Sequence, residues 1–335
     1  MDRVGIVFLD RPSVAEQVKY AQLAERKKFE CVWICETRLV RDAISVLGAL
    51  AISTKNIKLG TGVINTWTRN AALTAMTFAT LDEISKGRAI LGLGAYWDPL
   101  AWKQGIERRK PLQAMREYIE VVRRLLKLET ANFDGEIVKA RDLKLDLGHG
   151  VPKKPKKVPI YIGATGLKMM ELAGEIADGV LLNGFVSTDY TRKCIERIKV
   201  GAQRADRKLG SIDRPHIIAC AMSKDGDKAR DRSRELVTMY LGQQPHIGKA
   251  SGIKEDLIDD INKTLGGWPP KEGGLKEAVK LVDASVVNVL TASGTPNECR
   301  KKVREFVEAG ATCPAIMPIG ENISEMINEF AGRHS

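Results

Sequence analysis

A chain of 335 residues with 44% apolar content can bury a substantial core. Its six cysteines (Cys31, Cys35, Cys194, Cys220, Cys299, Cys313) include no Cys-x-x-Cys and accompany only four histidines, which fits neither a secreted disulfide framework nor a zinc site. The net charge of +11 raises an anionic partner, whether nucleic acid, lipid headgroups or phosphorylated small molecules, but with 5% aromatic content, interleaved acids and bases and no nucleic-acid motif, nucleic acid is the weaker option and most of the charge reads as a solvated face.

Short apolar runs alternate with helical patterns along nearly the whole chain, the signature of successive βα units and a parallel sheet. Strands are expected at Val4–Leu9, Cys31–Cys35, Ile57–Thr61, Ala89–Leu93, Pro159–Ile162, Gly179–Leu182, Ile217–Met222 and Pro314–Pro318. Helices are expected near Val14–Lys28, Arg41–Thr54, Ala71–Ser85, Leu112–Lys127, Leu167–Ile176, Thr188–Lys208, Lys228–Leu241 and Pro296–Ala309, with a last one near Ile323–Ala331. Eight strands are the number that closes a TIM (β/α)8 barrel, so the reading is one α/β barrel domain over 1–335.

Two excursions interrupt the alternation. Residues 130–158 suggest a hairpin, with Asn132-Phe133-Asp134-Gly135 leading to a strand at Leu143–Leu147, and residues 242–286 are rich in Gly, Pro and Lys. Both are expected to elaborate the C-terminal mouth, where barrel active sites lie. No apolar run is long enough to span a membrane and the N-terminus has no signal-peptide layout, so a soluble, cytoplasmic protein is expected.

Functional groups should then follow the strands. The sequence places Glu36-Thr37-Arg38 after strand two, Gly62-Val63-Ile64-Asn65 after three, Gly94-Ala95-Tyr96-Trp97-Asp98 after four, Gly163-Ala164-Thr165-Gly166 after five and Asn183-Gly184 after six. No Ser/His/Asp set, Cys/His pair or metal-binding cluster is among them, and the histidines lie away from strand ends. A mouth so poor in nucleophiles borrows its chemistry from a cofactor, and hydride transfer fits best. The glycines of Gly60-Thr61-Gly62 read either as bare backbone brought against a flat cofactor or as a tight turn. Gly163–Gly166, between a strand and a helix, reads as a phosphate loop with Lys168 one turn in, or as a plain βα connection. Glu36 could donate a proton, accept a hydrogen bond from a cofactor ring, or form an ion pair with Arg38 or Arg41.

Trp33-Ile34-Cys35-Glu36, Gly60-Thr61-Gly62-Val63-Ile64-Asn65, Gly92-Leu93-Gly94-Ala95, Lys110-Pro111-Leu112-Gln113-Ala114-Met115-Arg116-Glu117 and Pro159-Ile160-Tyr161-Ile162-Gly163-Ala164 together resemble the bacterial-luciferase-like flavin and deazaflavin oxidoreductases. Within that superfamily the chain most resembles the coenzyme F420-dependent methylenetetrahydromethanopterin reductases of archaea. The resemblance implies a TIM barrel, a homodimer, F420 (alternatively FMN) held at the strand ends, no metal, and an anionic pterin-type substrate in one-carbon metabolism. It also implies a cis peptide and bulge at Gly62-Val63 behind the ring, which Glu36 would face; either Glu36 or water takes the acid role. Thr37 would face the ring, Asn65 would fix its edge, and Gly163, Ala164, Thr165 and Gly166 would receive the phosphate-bearing arm. Gly94 and Asn183, at the ends of strands four and six, are counted with the coenzyme seat. The reductases carry Asp-His where this chain has Glu36-Thr37, and a strand-one glutamate where it has Val7. A luciferase-like dehydrogenase or monooxygenase for another small substrate, or a non-catalytic coenzyme-binding barrel, are the alternatives.

Overall fold

The computed structural model describes residues 3–150 and 152–331; His334 lies outside them. All eight expected strands form: β1 Gly5–Phe8, β2 Cys31–Ile34, β3 Lys58–Thr61, β4 Ala89–Gly94, β5 Ile160–Ala164, β6 Gly179–Leu182, β7 Pro215–Met222 and β8 Cys313–Pro318. Their order follows the chain, and β8 returns parallel to β1, which is the topology of a closed eight-stranded parallel barrel. Their residues are almost all buried on both faces, as expected of strands covered outside by helices.

Two compact units share these strands. One comprises 7–181 and 197–213; in it β2, β3, β4 and β5 pair in register, and the Cys35 N–H donates to the Phe8 carbonyl of β1 at 3.0 Å. The other comprises the residues up to Ile6, 182–196 and those from 214 onward; in it β7 pairs with β8 and, at His216, with Leu182 of β6, while β8 pairs with Gly5 and Ile6.

The helices flanking the strands are α1 Val14–Arg26, α2 Ala43–Ser53, α3 Ala71–Ser85, α4 Pro111–Leu126, α5 Leu167–Ile176, α6 Thr188–Arg204, α7 Pro296–Glu308 and α8 Ile323–Glu329. Of the two helices expected between β7 and β8, Lys228–Leu241 and Pro296–Ala309, the one that follows β7 in the barrel sense is α7. The other forms as Gly226–Gln243 but belongs to a long excursion from residue 223 to 291. That segment leaves the end of β7 and returns to it: Ala292–Gly294 pairs in parallel with Cys220–Met222. Only then does Thr295 cap α7 in a capping box with Glu298, Pro296 opening the helix. The excursion therefore lies at the carboxyl end of β7, as expected, but is longer than 242–286 and mostly helical.

The 130–158 excursion is a hairpin, with strands Ala131–Asp134 and Lys139–Leu143. Its second strand precedes the expected Leu143–Leu147 because Glu117 of α4 fixes the turn. The Glu117 carboxylate, 2% exposed, accepts N–H bonds from Glu136 (2.9 Å), Ile137 (2.8 Å) and Val138 (2.8 Å) and one from Gln113 (2.7 Å). The hairpin follows a helix and precedes β5, so it lies away from the carboxyl ends of the strands, contrary to expectation.

Two buried titratable groups tie stability to pH. Burial pushes the Glu117 carboxyl up, but its donors outweigh burial and hold it at about 2. Burial pushes His216 down to about 4 against the opposing Ile217 carbonyl; its ring contacts that carbonyl (2.8 Å) and Thr191 Oγ1 (2.9 Å). Both folded-state values lie below the unfolded ones, so both contributions are complete at neutral pH and disappear on acidification. Unfolding free energy should therefore fall as pH drops from 6.5 towards 4 through His216, and again from 4.5 towards 2 through Glu117. Each contributes about 3 kcal/mol by the shift in its titration. Urea unfolding as a function of pH checks this: His216→Asn should flatten the upper window, and Glu117→Gln the lower one.

Candidate active site

The register of β3 against β4 shifts at the strand end. Gly60 pairs with Ile90, but Ile64 pairs with Leu93 and Asn65 with Gly94, so β3 advances four residues where β4 advances three. This is a bulge with one extra residue, a device that re-aims the chain beside active sites. It contains the cis peptide Gly62-Val63.

Two features hold the bulge. Gly94 and Gly163 are directly opposed partners of β4 and β5, and the notch left by their missing side chains receives Val63. A Cβ on Gly94 would stand 2.5 Å from Val63 Cγ2, and one on Gly163 2.7 Å from Val63 Cγ1. The second feature is Thr61, fully buried, whose hydroxyl accepts the Gly92 N–H and donates to the Gly92 carbonyl, both at 2.8 Å. A side chain thus replaces the ladder bonds that the departing backbone gives up.

This packing gives the glycines a reason of their own. Gly60 is glycine because the Trp33 ring lies 2.4 Å from where its Cβ would be, and Gly62 because Trp33 and Leu181 close on it at 3.1 and 3.2 Å. Only Gly166, the N-cap of α5, faces open space among the glycines expected at the seat. Ala164 is buried at the end of β5, Thr165 is half-buried and Lys168 is exposed in the first turn of α5. The first turn of that helix has no side-chain cap, which suits an anion.

The rim around the bulge is cross-bonded. Glu36 pairs with Arg69, not with Arg38 or Arg41: Arg69 donates Nη1 to Oε1 (2.7 Å) and Nη2 to Oε2 (3.0 Å), and the Ala43 N–H adds a bond to Oε2 (3.2 Å). Arg69 also pairs with Asp42, the N-cap of α2. Burial disfavours charge on Asp42, yet Ser45 and Arg69 outweigh it and hold the carboxyl below its ordinary range. Arg38 pairs instead with Asp10, and Arg41 donates to the Asp10 and Pro12 carbonyls. Thr37 closes a turn through its carbonyl, which accepts the Val40 N–H.

Asn65 is spent largely on its own loop. Its Oδ1 accepts the N–H groups of Trp67 (2.9 Å) and Thr68 (2.8 Å), and Nδ2 donates to Thr68 Oγ1 (2.9 Å). Asn183 belongs to the other compact unit, where its amide donates to the Tyr240 hydroxyl. Val7 is fully buried and has no ionisable group. Burial and Asp10 push the Cys35 thiol up to about 12, so it is no nucleophile, and no metal-binding cluster exists among the described residues. Arg69 and Thr61 escaped sequence reasoning: Arg69 lies 33 positions from its partner Glu36, and the role of Thr61 depends on the bulge.

The luciferase-like monooxygenase family matches residues 3–313. The chain is 35% identical over 328 residues to the 5,10-methylenetetrahydromethanopterin reductase of Archaeoglobus fulgidus, covering 97% of this chain and 96% of that protein. It is 28% identical over 259 residues to the F420-dependent glucose-6-phosphate dehydrogenase of Amycolatopsis mediterranei, covering 73% and 76%. The structure of the coenzyme F420-dependent tetrahydromethanopterin reductase from Methanopyrus kandleri superposes with a TM-score of 0.87 at 28% identity, over 98% of this chain and 97% of that one.

Overpacking the Val63 notch should destabilise the protein. Gly163→Ala and Gly94→Ala are each expected to cost about 1–3 kcal/mol, whereas Gly166→Ala should cost less than about 1 kcal/mol. Urea midpoints of the three variants check this, and the reverse ranking would refute the packing account.

Proposed function

The chain belongs to the luciferase-like monooxygenase family, and from that membership we propose that it is an F420-dependent oxidoreductase acting on methylene-tetrahydromethanopterin or a related C1-carrying pterin to give the methyl form. The observation that carries this reading is the bulge at Gly62-Val63, seated against the facing glycines of β4 and β5. Its wedged side chain leaves the main chain as a fixed surface for a planar ring, which suits the deazaflavin. When bound, that coenzyme supplies the hydride.

The protein's own residues bind and orient. Gly62 and Val63 back the ring, with Gly94 and Thr37 beside it. Gly163, Ala164, Thr165 and Gly166 receive the phosphate-bearing arm at the N-terminus of α5. Both Glu36 oxygens already accept from Arg69, so Glu36 is assigned to holding the rim, and water delivers the proton to the pterin nitrogen. Fully buried, apolar Val7 favours a second reading, an F420- or FMN-dependent enzyme for another small substrate that needs no acid at that position.

Mixing the protein with reduced F420 and methylene-tetrahydromethanopterin should oxidise one coenzyme per methyl-pterin formed. No coenzyme oxidation at any pH would remove the pterin reading, and oxygen-dependent turnover with FMN would select a monooxygenase.

We further propose a cytoplasmic homodimer. No described helix is long and apolar enough to cross a membrane. Ile52 of α2 and Leu73, Met76 and Ile84 of α3 are exposed, an apolar set that a second copy would cover. Sedimentation should show a dimer that Ile52→Asp with Met76→Asp converts to monomer; a monomeric wild type would refute it.

A further inference from the structure

We infer that Thr61 is a positioning residue of the coenzyme seat, setting the height of the Gly62-Val63 bulge through its hydroxyl. The inference rests on the reading that this bulge backs the coenzyme. Along β3 the backbone ladder to β4 stops after Gly60 and resumes at Ile64. Between those points Gly92 would be left with a buried N–H and a buried carbonyl facing no backbone partner. One hydroxyl serves both, accepting from the first and donating to the second at 2.8 Å each. A threonine oxygen can do this because it is both donor and acceptor; valine, with the same shape, can do neither.

The closeness of the two strands at this point makes the bond a spacer as well as a substitute. A Cβ on Gly92 would lie 1.9 Å from the Thr61 carbonyl oxygen and 3.3 Å from Val63 Cγ1. The side chain of Thr61 therefore fixes the strand separation where the bulge begins, and the Val63 notch fixes it where the bulge ends. On the other side the Gly62 N–H donates to the Ile34 carbonyl at 2.8 Å, so the start of the bulge is held from both neighbouring strands. Without the hydroxyl, Gly92 must recruit water or pull β3 back towards a regular ladder, and either change moves the main chain that would face the ring.

The test compares Thr61→Val with Thr61→Ser, using two readouts well below the unfolding temperature. One is the dissociation constant for F420 from a visible-absorbance titration; the other is hydrogen exchange of the Gly92 amide in the coenzyme-free protein. Thr61→Val is expected to weaken F420 binding at least tenfold and to speed Gly92 exchange at least tenfold, with Thr61→Ser within threefold of wild type in both. If Thr61→Val fails to fold, Thr61→Ala against Thr61→Ser gives the same comparison. A lowered melting temperature with F420 affinity unchanged would overturn the inference, since a merely structural hydroxyl predicts that result. Wild-type protein that binds neither F420 nor FMN would remove the coenzyme reading itself and this inference with it.

Discussion

The geometry of the candidate site depends on one steric fit, the isopropyl group of Val63 lodged between two glycines that face each other across β4 and β5. A branched, stiff side chain fills a notch that no other residue pair would leave open. The bulge cannot slide along its neighbours without driving Val63 into strand backbone. The Thr61 hydroxyl and the Trp33 ring, which occupies the place of a side chain at Gly60, complete the same arrangement. The strand end is thus organised by side chains filling spaces that glycines vacate.

A second layer of order comes from charge. Asp10 with Arg38 and Arg41, Glu36 and Asp42 with Arg69, and the Trp67 indole donating to the Ala95 carbonyl at 3.2 Å link the loops after β1, β2, β3 and β4 in series. The Tyr118 hydroxyl anchors this series to α4 by donating to the Arg69 carbonyl at 3.0 Å. The guanidinium and carboxylate groups are partly shielded from water, so their pairing is stronger than that of ordinary surface ions. The carboxylate most exposed to catalytic interpretation from sequence, Glu36, is a member of this frame.

The strands and flanking helices were legible because their apolar periods are local properties of the chain. What escaped was whatever depends on a distant partner. The run Leu59-Gly60-Thr61-Gly62 shows that side chains are missing, but a missing side chain is equally consistent with an approaching ligand and with an approaching Trp33. Glu36 has two arginines nearby in sequence and pairs with neither, because loop geometry brings Arg69 closer. The hairpin turn is hidden from the sequence for a similar reason: Glu117, on the preceding helix, decides which amides turn inward. The Gly226–Gln243 helix is legible from its own period, but its place in the excursion is not, since only the pairing of Ala292–Gly294 with β7 reveals where the barrel resumes.

That pairing has an evolutionary implication. The Ser223 N–H donates to the Gly294 carbonyl at 3.1 Å, so the points where residues 223–291 depart and rejoin are neighbours in space. A cassette with adjoining ends can be shortened, lengthened or exchanged at little entropic cost to the host, because the gap to be bridged never changes. Such an insert can be exchanged while the eight-stranded chassis stays untouched.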